Sequence, residues 1–188
     1  MSVAKGARAA LRQRLLAARL ALSDHAQRSE VLAAHVARWL AEQPFVCVAA
    51  FWPVRGEPDL LPMLADWLAA DARRVAALPV IDGEVLRFAP WTPQAAMQPG
   101  PHHVAVPATA KRVHPQALLI PCVGIDARCY RLGYGGGYYD RTLAALTPRP
   151  VTLGVAFDCA RIKSIAPQAH DIALDAAVTE SGFVGAGG

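Results

Sequence analysis

The stretch at residues 118–146, LLIPCVGIDARCYRLGYGGGYYDRTLAAL, begins with an apolar run, continues through a glycine-rich turn and ends in the helix formers of residues 139–146. The apolar run at 118–123 is typical of a strand buried on both faces of a sheet. The segment at 139–146 predicts a helix. A strand followed by a connection and a helix is the repeating unit of α/β folds, so this stretch predicts a parallel sheet with helices on its faces.

Strands and helices also alternate over the rest of the chain. We predict strands at residues 45–52, 75–81, 86–91, 118–123, 151–157 and 177–179, and further helices at residues 4–20, 24–44 and from residue 58 onward. The pair Asp82-Gly83 predicts the turn between the second and third strands. Residues 92–116 are rich in proline and are expected to be irregular. This order predicts a single domain over residues 1–188, built on a mostly parallel sheet covered on both faces.

The composition is that of a folded protein with a sizeable core, because 54% of the 188 residues are hydrophobic and 18% are charged. Five prolines interrupt the longest charge-free stretch, residues 88–110, and exclude a membrane-spanning helix there. The arginines among the first 20 residues break up any continuous apolar segment of the secretory type. An organelle transit peptide is an alternative for this arginine-rich start, which we predict to be a helix of the folded protein.

The cysteine pattern and the distribution of charge indicate which kinds of ligand or partner suit the protein. The four cysteines form no CxxC pair, so neither a disulfide framework nor a zinc site is indicated, and reduced thiols favour a cytoplasmic protein. The net charge of +4 is placed unevenly, since residues 1–20 contain no acid. The basic residues of this segment are Lys5, Arg8, Arg12, Arg14 and Arg19. Such a segment suits an anionic partner, which can be a nucleotide, a nucleic acid or a membrane surface.

The glycine-rich turn has the composition of an anion-binding loop. Glycine lets backbone N–H groups approach an anion closely, and the N-terminus of the following helix adds a partial positive charge. Arg131 and Arg141 flank the turn as candidate phosphate partners. A flexible turn without a ligand is the alternative. The turn lacks the lysine of a P-loop, and Tyr138 stands where a dinucleotide fingerprint needs its third glycine.

Three further positions carry candidate chemistry. Trp52 and Glu57 follow a predicted strand and suit a heterocycle with several N–H donors, such as a pterin; a plain strand–turn–helix connection is the alternative. His170-Asp171 is a candidate general base or metal ligand, or an ordinary loop pair. Asp140 follows the glycines and either holds Mg²⁺ beside a phosphate or complements the helix dipole.

Together these segments resemble the 5-formyltetrahydrofolate cyclo-ligase family, also called 5,10-methenyltetrahydrofolate synthetases. The resemblance runs from about residue 4 to residue 180. Its motifs are FWPVRGE (51–57), ALPV (77–80), IPCVGID (120–126), RLGYGGGYYDR (131–141), HD (170–171) and VTE (178–180). The glycine segment is the most specific of these motifs, and the order and spacing of the others support it.

The resemblance implies a three-layer α/β/α fold of Rossmann-like type, with ATP and the folate in one cleft. A basic Lys-x-x-x-Arg pattern on the first helix of the family contacts ATP, and its best match here is Arg8-Ala-Ala-Leu-Arg12, with Lys5 one turn earlier. The implied ATP-binding residues are Lys5, Arg8, Arg12, Arg131, Leu132, Gly133, Tyr134, Gly135, Gly136, Gly137, Tyr138 and Tyr139. The implied folate contacts are Trp52, Glu57 and Tyr139, and the implied magnesium ligands are Asp140 and Asp171. The family usually has glycine where this chain has Cys129.

The activity implied by the resemblance is ATP- and Mg²⁺-dependent closure of 5-formyltetrahydrofolate to 5,10-methenyltetrahydrofolate. The ATP γ-phosphoryl group moves to the formyl oxygen, N10 closes the ring, and ADP and phosphate are released, without a protein nucleophile. A diverged folate or nucleotide binder with weak or different ligase activity is an alternative, as is another ATP-dependent ligase. A nucleic-acid binder is disfavoured, because the first 20 residues contain no aromatic side chain. We expect a monomer with no nucleic-acid or membrane partner.

Overall fold

The computed structural model describes the backbone of residues 3–185 and the side chains of residues 6–185. The helices of this part are α1 (Val3–Leu20), α2 (His25–Ala41), α3 (Leu61–Ala69) and α4 (Tyr138–Ala145). The strands are β1 (Cys47–Ala49), β2 (Val75–Asp82), β3 (Val85–Trp91), β4 (Met97–Pro99), β5 (Ala105–Pro107), β6 (Ala117–Pro121), β7 (Gly124–Asp126), β8 (Arg131–Leu132), β9 (Val151–Val155), β10 (Arg161–Ile162), β11 (Ala176–Thr179) and β12 (Gly182–Phe183). Within the described residues no helix is both long and apolar enough to cross a bilayer.

The main sheet has seven strands in the order β12-β11-β9-β6-β1-β2-β3. Its inner strands are parallel, while β3 and β12 pair antiparallel at the two edges. This arrangement confirms the predicted mostly parallel sheet. The chain leaves β1 towards β2 but leaves β6 towards β9, so the strand order reverses between β1 and β6. A reversal of this kind opens a crevice at the carboxyl ends of the two strands.

The sheet separates two layers of helices, which confirms the predicted three-layer α/β/α architecture. On one face Leu32 and Val36 of α2 and Leu64 of α3 pack with Val48 of β1 and Leu119 of β6. On the other face Leu143 of α4 packs with residues of opposite parity along the same strands. Alternate side chains of a strand point to opposite faces, so both faces of these apolar strands are covered.

Residues 92–116 are more ordered than the sequence predicts. They contain the antiparallel pair β4–β5, in which Met97 lies opposite Pro107 and Pro99 lies opposite Ala105. The expectation of an irregular segment was therefore wrong for these two short strands. Each strand has three residues with proline at its end, where a missing N–H costs the ladder little.

A second, three-stranded sheet in the order β10-β7-β8 lies beyond the carboxyl end of β6. Helix α1 covers it, with Leu15 packed against Val123, Leu132 and Ile165. The buried Asp126 side chain, which is 1% exposed, ties this sheet together. Its Oδ1 accepts hydrogen bonds from the backbone N–H groups of residues 128 and 130, at 3.0 and 3.1 Å, and its Oδ2 accepts one from residue 165 at 3.2 Å. This sheet and α1 form the wall of the crevice.

Candidate active site

The crevice lies where the segments after β1 and β6 meet helix α1. The first segment, residues 52–57, contains a left-handed turn, with φ of 51° at Arg55 and 70° at Gly56. The second runs through β7 and β8 into the glycine segment 133–137, which we call the glycine loop. All three elements contact one another through side chains described below. The structure thus brings together residues from three motifs that are far apart in the sequence.

The glycine loop has the open backbone that the sequence predicts. Gly135 and Gly137 have φ of 101° and 69°, in the left-handed region that other residues rarely adopt. Gly137 is the N-cap of α4, so the loop ends on unpaired N–H groups of a helix N-terminus. The Arg12 Nε donates a hydrogen bond of 2.7 Å to the Gly133 carbonyl oxygen. Arg12 therefore lies along the loop, within reach of an anion bound there.

Arg141 braces the loop from outside. Its Nε donates to the Glu84 carbonyl oxygen at 2.7 Å, and its Nη2 donates to the Gly136 carbonyl oxygen at 2.8 Å. Its guanidinium also lies over the Tyr138 ring, 5.2 Å from the centroid. The sequence offered Arg141 as a phosphate partner, whereas here two of its five N–H donors are given to backbone carbonyl groups. A bracing role accounts for both hydrogen bonds.

Helix α1 carries two neighbouring cations, Arg12 against the glycine loop and Arg8 against Asp171. Arg8 forms a two-pronged ion pair with Asp171, with N–O distances of 3.2 and 3.1 Å. Burial, and after it the charge of Arg8, lowers the pKa of the Arg12 guanidinium. The buried Arg8 Nε has no hydrogen-bond partner among the described residues. Two close cations with incomplete pairing suit an incoming polyphosphate. The side chain of Lys5 lies outside the described residues.

Arg131 is the buried cation of the site, with a side chain only 4% exposed. Its Nη1 donates to the Ile172 carbonyl oxygen at 3.0 Å, and its Nη2 lies 2.9 Å from Asp140 Oδ1. That second contact lacks hydrogen-bond geometry, so Nη2 is a buried donor without a hydrogen-bond acceptor among the described residues. The guanidinium lies 5.9 Å from the centroid of the Tyr139 ring. Arg131 is thus positioned to take an additional oxygen ligand.

Two of the predicted site residues, Leu132 and Trp52, pack against the hydrophobic core. Leu132 is 1% exposed and packs with Leu15 and Val123, so its side chain is part of the core beneath the loop. Any contact of Leu132 with a nucleotide would come from its backbone. Trp52 is half-buried and packs against the core on the α2 and α3 face of the sheet. Its contact with a folate stays a prediction.

Glu57 lies in the crevice, where its side chain is held by both neighbouring segments. Its Oε1 accepts a hydrogen bond of 2.6 Å from the Tyr134 hydroxyl of the glycine loop, and its Oε2 accepts one of 3.0 Å from the Val54 N–H. Burial raises the pKa of the Glu57 carboxyl, and the hydrogen bond from Tyr134 opposes that rise. A carboxylate held in this way is a ready acceptor for ring N–H donors.

The two predicted magnesium ligands lie on either side of one peptide. Asp140 Oδ1 accepts a 3.0 Å hydrogen bond from the Ile172 N–H, and Asp171 directly precedes Ile172. Asp140 Oδ2 has no protein partner among the described residues, whereas both oxygens of Asp171 are engaged by Arg8 and the Gln168 N–H. No group of three or more acidic, histidine or cysteine side chains forms a metal cage within residues 6–185. This donor set fits Mg²⁺, which is commonly held by one or two carboxylates together with substrate phosphates.

His170 does not join this cluster. Its side chain is 72% exposed, and its Nε2 lies 3.9 Å from Asp171 Oδ1. Asp171 is instead oriented by Arg8 from α1. The histidine of the predicted pair therefore has the contacts of a surface residue.

Sequence reasoning missed Arg19, whose side chain reaches the same crevice. Arg19 lies near the end of α1, and its Nη2 donates to the Tyr134 hydroxyl at 2.5 Å. Its position, seven residues after Arg12 and eleven after Arg8, places all three on one face of a helix with about 3.6 residues per turn. That periodicity was the signal that could have identified it.

A parallel sheet with a basic, glycine-lined crevice at its carboxyl edge defines an α/β protein of the class that binds phosphorylated ligands. Comparison with known proteins identifies the family. Residues 4–180 match the family model described as the 5-formyltetrahydrofolate cyclo-ligase family, and the chain belongs to this family of enzymes. This confirms the resemblance carried by the motifs.

Individual relatives support the same assignment. A 5-formyltetrahydrofolate cyclo-ligase of Escherichia coli (strain K12) is 32% identical over 143 residues, covering 71% of this chain and 78% of that protein. One from Mycoplasma pneumoniae is 27% identical over 152 residues, covering 79% and 84%. The NMR structure of Aquifex aeolicus 5,10-methenyltetrahydrofolate synthetase matches with a TM-score of 0.77 at 28% identity, covering 96% of this chain and 94% of that one. A Mycoplasma pneumoniae 5,10-methenyltetrahydrofolate synthetase matches at a TM-score of 0.75 and 23% identity, which supports the fold alone.

Proposed function

We propose that this protein converts 5-formyltetrahydrofolate to 5,10-methenyltetrahydrofolate with cleavage of ATP to ADP and phosphate. The observation that carries the proposal is the hydrogen bond between Tyr134 and Glu57. It joins a glycine loop suited to a polyphosphate to a buried carboxylate suited to a pterin. A reaction of two substrates in one crevice would account for this contact, and the family assignment leads us to expect such a reaction.

The chemistry requires alignment and charge neutralisation. A formyl oxygen is a poor leaving group until it accepts the γ-phosphoryl group of ATP; N10 then attacks the formyl carbon, and inorganic phosphate leaves with that oxygen. Arg8, Arg12 and Arg131 would neutralise the phosphates, and the N–H groups of the glycine loop would orient them. We assign nucleotide contacts also to Tyr138, Tyr139 and Lys5, as the family motif implies. No side chain has to act as a nucleophile.

We assign the pterin to Glu57, with Trp52 and Tyr139 as neighbouring aromatic contacts. A pterin carries an amino group and a ring N–H side by side, and two carboxylate oxygens can accept from both. Glu57 in its ionised form offers these acceptors, because each oxygen accepts one protein hydrogen bond, from the Tyr134 hydroxyl or the Val54 N–H, and keeps a second lone pair. Binding would therefore add substrate hydrogen bonds to the protein hydrogen bonds that hold the carboxylate.

We assign Mg²⁺ to Asp140, with Asp171 as a second ligand once it exchanges Arg8 for the metal. Bound there, the ion would supply charge neutralisation for the transferring phosphoryl group. The free Oδ2 of Asp140 is the observation that favours this residue. We expect a cytoplasmic monomer with no nucleic-acid or membrane partner. The alternative is a relative that binds folate or nucleotide with weak or different ligase activity.

The direct test follows absorbance in the methenyl-folate band with purified protein, 5-formyltetrahydrofolate, Mg²⁺ and ATP. We expect a rise that requires both Mg²⁺ and ATP, with release of one phosphate per turnover. A flat trace from protein that binds the folate would contradict the proposed reaction and favour the diverged binder. A rise with ATP in the presence of a chelator would contradict the metal requirement.

Asp140→Asn tests the metal assignment. We expect the Mg²⁺ concentration for half-maximal rate to rise about tenfold or more, because a neutral amide is a weaker ligand for a hard cation. The KM for the folate should stay within about threefold of the parent value, since Asp140 is not among the groups that bond to Glu57 or shift its pKa. The matched control is Asp82→Asn, which removes an exposed carboxylate paired with Arg112 at 3.0 Å. Equal Mg²⁺ dependence in Asp140→Asn and the parent would sink the assignment.

A further inference from the structure

Arg19 is a buried cation for which neither the family motifs nor the proposed reaction has a role. Arg19 is 4% exposed, although it lies near the end of α1, where Arg14 of the same helix is exposed. Burying a guanidinium is costly unless its donors are paired. Its two hydrogen-bond partners in the structure belong to the two segments that line the crevice. The Arg19 side chain therefore points into the crevice.

The first partner is the turn that carries Glu57. Arg19 Nε donates a hydrogen bond of 3.0 Å to the Arg55 carbonyl oxygen. Arg55 has a φ of 51°, a left-handed conformation that is unfavourable for a residue with a side chain. The hydrogen bond helps to hold this turn, which aims the next side chain but one, Glu57, into the crevice.

The second partner links Arg19 to Glu57 through a hydroxyl. Arg19 Nη2 donates to the Tyr134 hydroxyl at 2.5 Å, and that hydroxyl donates to Glu57 Oε1 at 2.6 Å. Arg19, the Tyr134 hydroxyl and Glu57 thus form a hydrogen-bonded series of a cation, a neutral hydroxyl and a carboxylate. A cation at one end polarises the hydroxyl and strengthens its donation to the carboxylate at the other end.

The groups around Glu57 come from several elements. Arg19 from α1 and Arg55 from its own loop are the nearby cations, and their charges act against the rise in pKa that burial causes. Burial, and after it the charge of Glu57, raises the pKa of Tyr134 of the glycine loop and of Tyr139 of α4, and burial raises the pKa of Cys122 after β6. His25 packs on Gly56, where an added Cβ would meet its Cε1 at 2.9 Å. No second carboxylate is among the residues that influence Glu57 here.

We propose that Arg19 is a positioning residue for the folate: through the Tyr134 hydroxyl and the Arg55 carbonyl it keeps Glu57 aimed and negatively charged for the N–H donors of the pterin. The proposal rests on the proposed function. Arg19 itself touches neither substrate. Arg19 holds the Glu57 carboxylate, which accepts from the pterin, so it affects the folate affinity and the pH at which that affinity is lost.

The test compares Arg19→Gln, Arg19→Lys and the control Arg14→Gln, which removes an exposed charge from the same helix. We expect the Kd for 5-formyltetrahydrofolate, measured by calorimetry without ATP, to rise about tenfold or more in Arg19→Gln. The Kd for ATP should stay within about threefold. Loss of the positive charge also raises the pKa of Glu57, so folate binding should weaken at a higher pH than in the parent. Arg19→Lys keeps the charge and should leave that pH close to the parent value.

A buried arginine is also part of the fold, so Tyr134→Phe provides an independent variant. Tyr134 is 37% exposed, and its hydroxyl can be removed without opening a core cavity. We expect the same weaker folate binding and the same shift of the pH dependence towards higher pH. An unchanged folate Kd in both Arg19→Gln and Tyr134→Phe would overturn the proposal, as would a pH dependence that neither variant moves. A parent protein that binds folate normally but forms no methenyl product would contradict the reaction and leave this binding test intact; a parent that binds no folate would contradict both.

Discussion

Glu57→Gln is expected to raise the KM for 5-formyltetrahydrofolate by about 100-fold while the KM for ATP stays within about threefold. Glutamine has nearly the shape of glutamate but offers one acceptor oxygen and no charge. Glu57 is 6% exposed, so water cannot replace the lost acceptor. The pterin would then meet an amide N–H with one of its own donors. Steady-state kinetics with each substrate varied in turn measures the effect.

The pH dependence of the folate kcat/KM provides a second test of Glu57→Gln. Burial raises the pKa of Glu57, so its carboxyl binds a proton at a higher pH than a free glutamate does. Folate kcat/KM of the parent should therefore fall as pH drops through this raised pKa, because the neutral carboxyl offers a donor where an acceptor is needed. Glu57→Gln should lack this fall.

The control for this variant is Glu42→Gln, which changes an exposed carboxylate paired with Arg38 at 3.8 Å. It should leave both KM values and the pH dependence unchanged. Thermal unfolding of both variants checks that the fold is retained. A folate KM in Glu57→Gln equal to that of Glu42→Gln would dismiss Glu57 as the pterin contact.

Local sequence patterns were sufficient for most of the sheet. The apolar runs at β1, β2, β6 and β9 are too short for core helices and are bounded by turn residues, so they predicted strands that the structure confirms. The hairpin β2–β3 was predicted from Asp82-Gly83, where Gly83 adopts a φ of 62°. The small sheet of β7, β8 and β10 was missed. Its strands have only two or three residues and are held by the buried Asp126 carboxylate, which no periodicity reveals.

The candidate site could be predicted only in part, because motifs give residue types without their partners. Arg8, Arg12 and Arg131 were identified as candidate anion ligands, and the structure places Arg12 against the glycine loop. The sequence did not predict that Arg8 would pair with Asp171, or that Arg131 would lie beside Asp140. These contacts join residues far apart in the chain, and they depend on the strand order of the sheet.

Cys129 shows how a departure from the family pattern becomes intelligible in the structure. It has a φ of 59°, in the left-handed region where glycine carries no steric penalty. Its N–H donates to the Asp126 carbonyl oxygen at 2.9 Å, and its own carbonyl accepts from the Leu174 N–H at 3.0 Å. The turn into β8 is therefore held from both sides by backbone hydrogen bonds, and its left-handed conformation explains why glycine suits this position.

Arg131→Met is expected to lower kcat/KM for ATP by about 1,000-fold, a loss typical of removing a buried group that stabilises a transferring phosphoryl group. Methionine fills much of the same volume without the charge. Asp140 would lose its ion-pair partner at 2.9 Å, and the Ile172 carbonyl would lose its donor. We therefore also expect the free energy of unfolding to fall by about 3 kcal/mol, since breaking a buried pair leaves an uncompensated charge. Denaturant unfolding measures this second effect.

Loss of stability and loss of ATP use can be separated. Nucleotide binding is measured by calorimetry well below the unfolding temperature of Arg131→Met, where the protein is folded. The control Arg149→Met removes an arginine from a pair with Asp175 at 3.6 Å whose side chains are 43% and 47% exposed, and should change little. Arg131→Lys keeps the charge but loses the planar fork that serves both Ile172 and Asp140, so we expect an intermediate loss. Folded Arg131→Met with the parent's Kd and kcat/KM for ATP would remove Arg131 from the nucleotide site and leave it as a structural partner of Asp140.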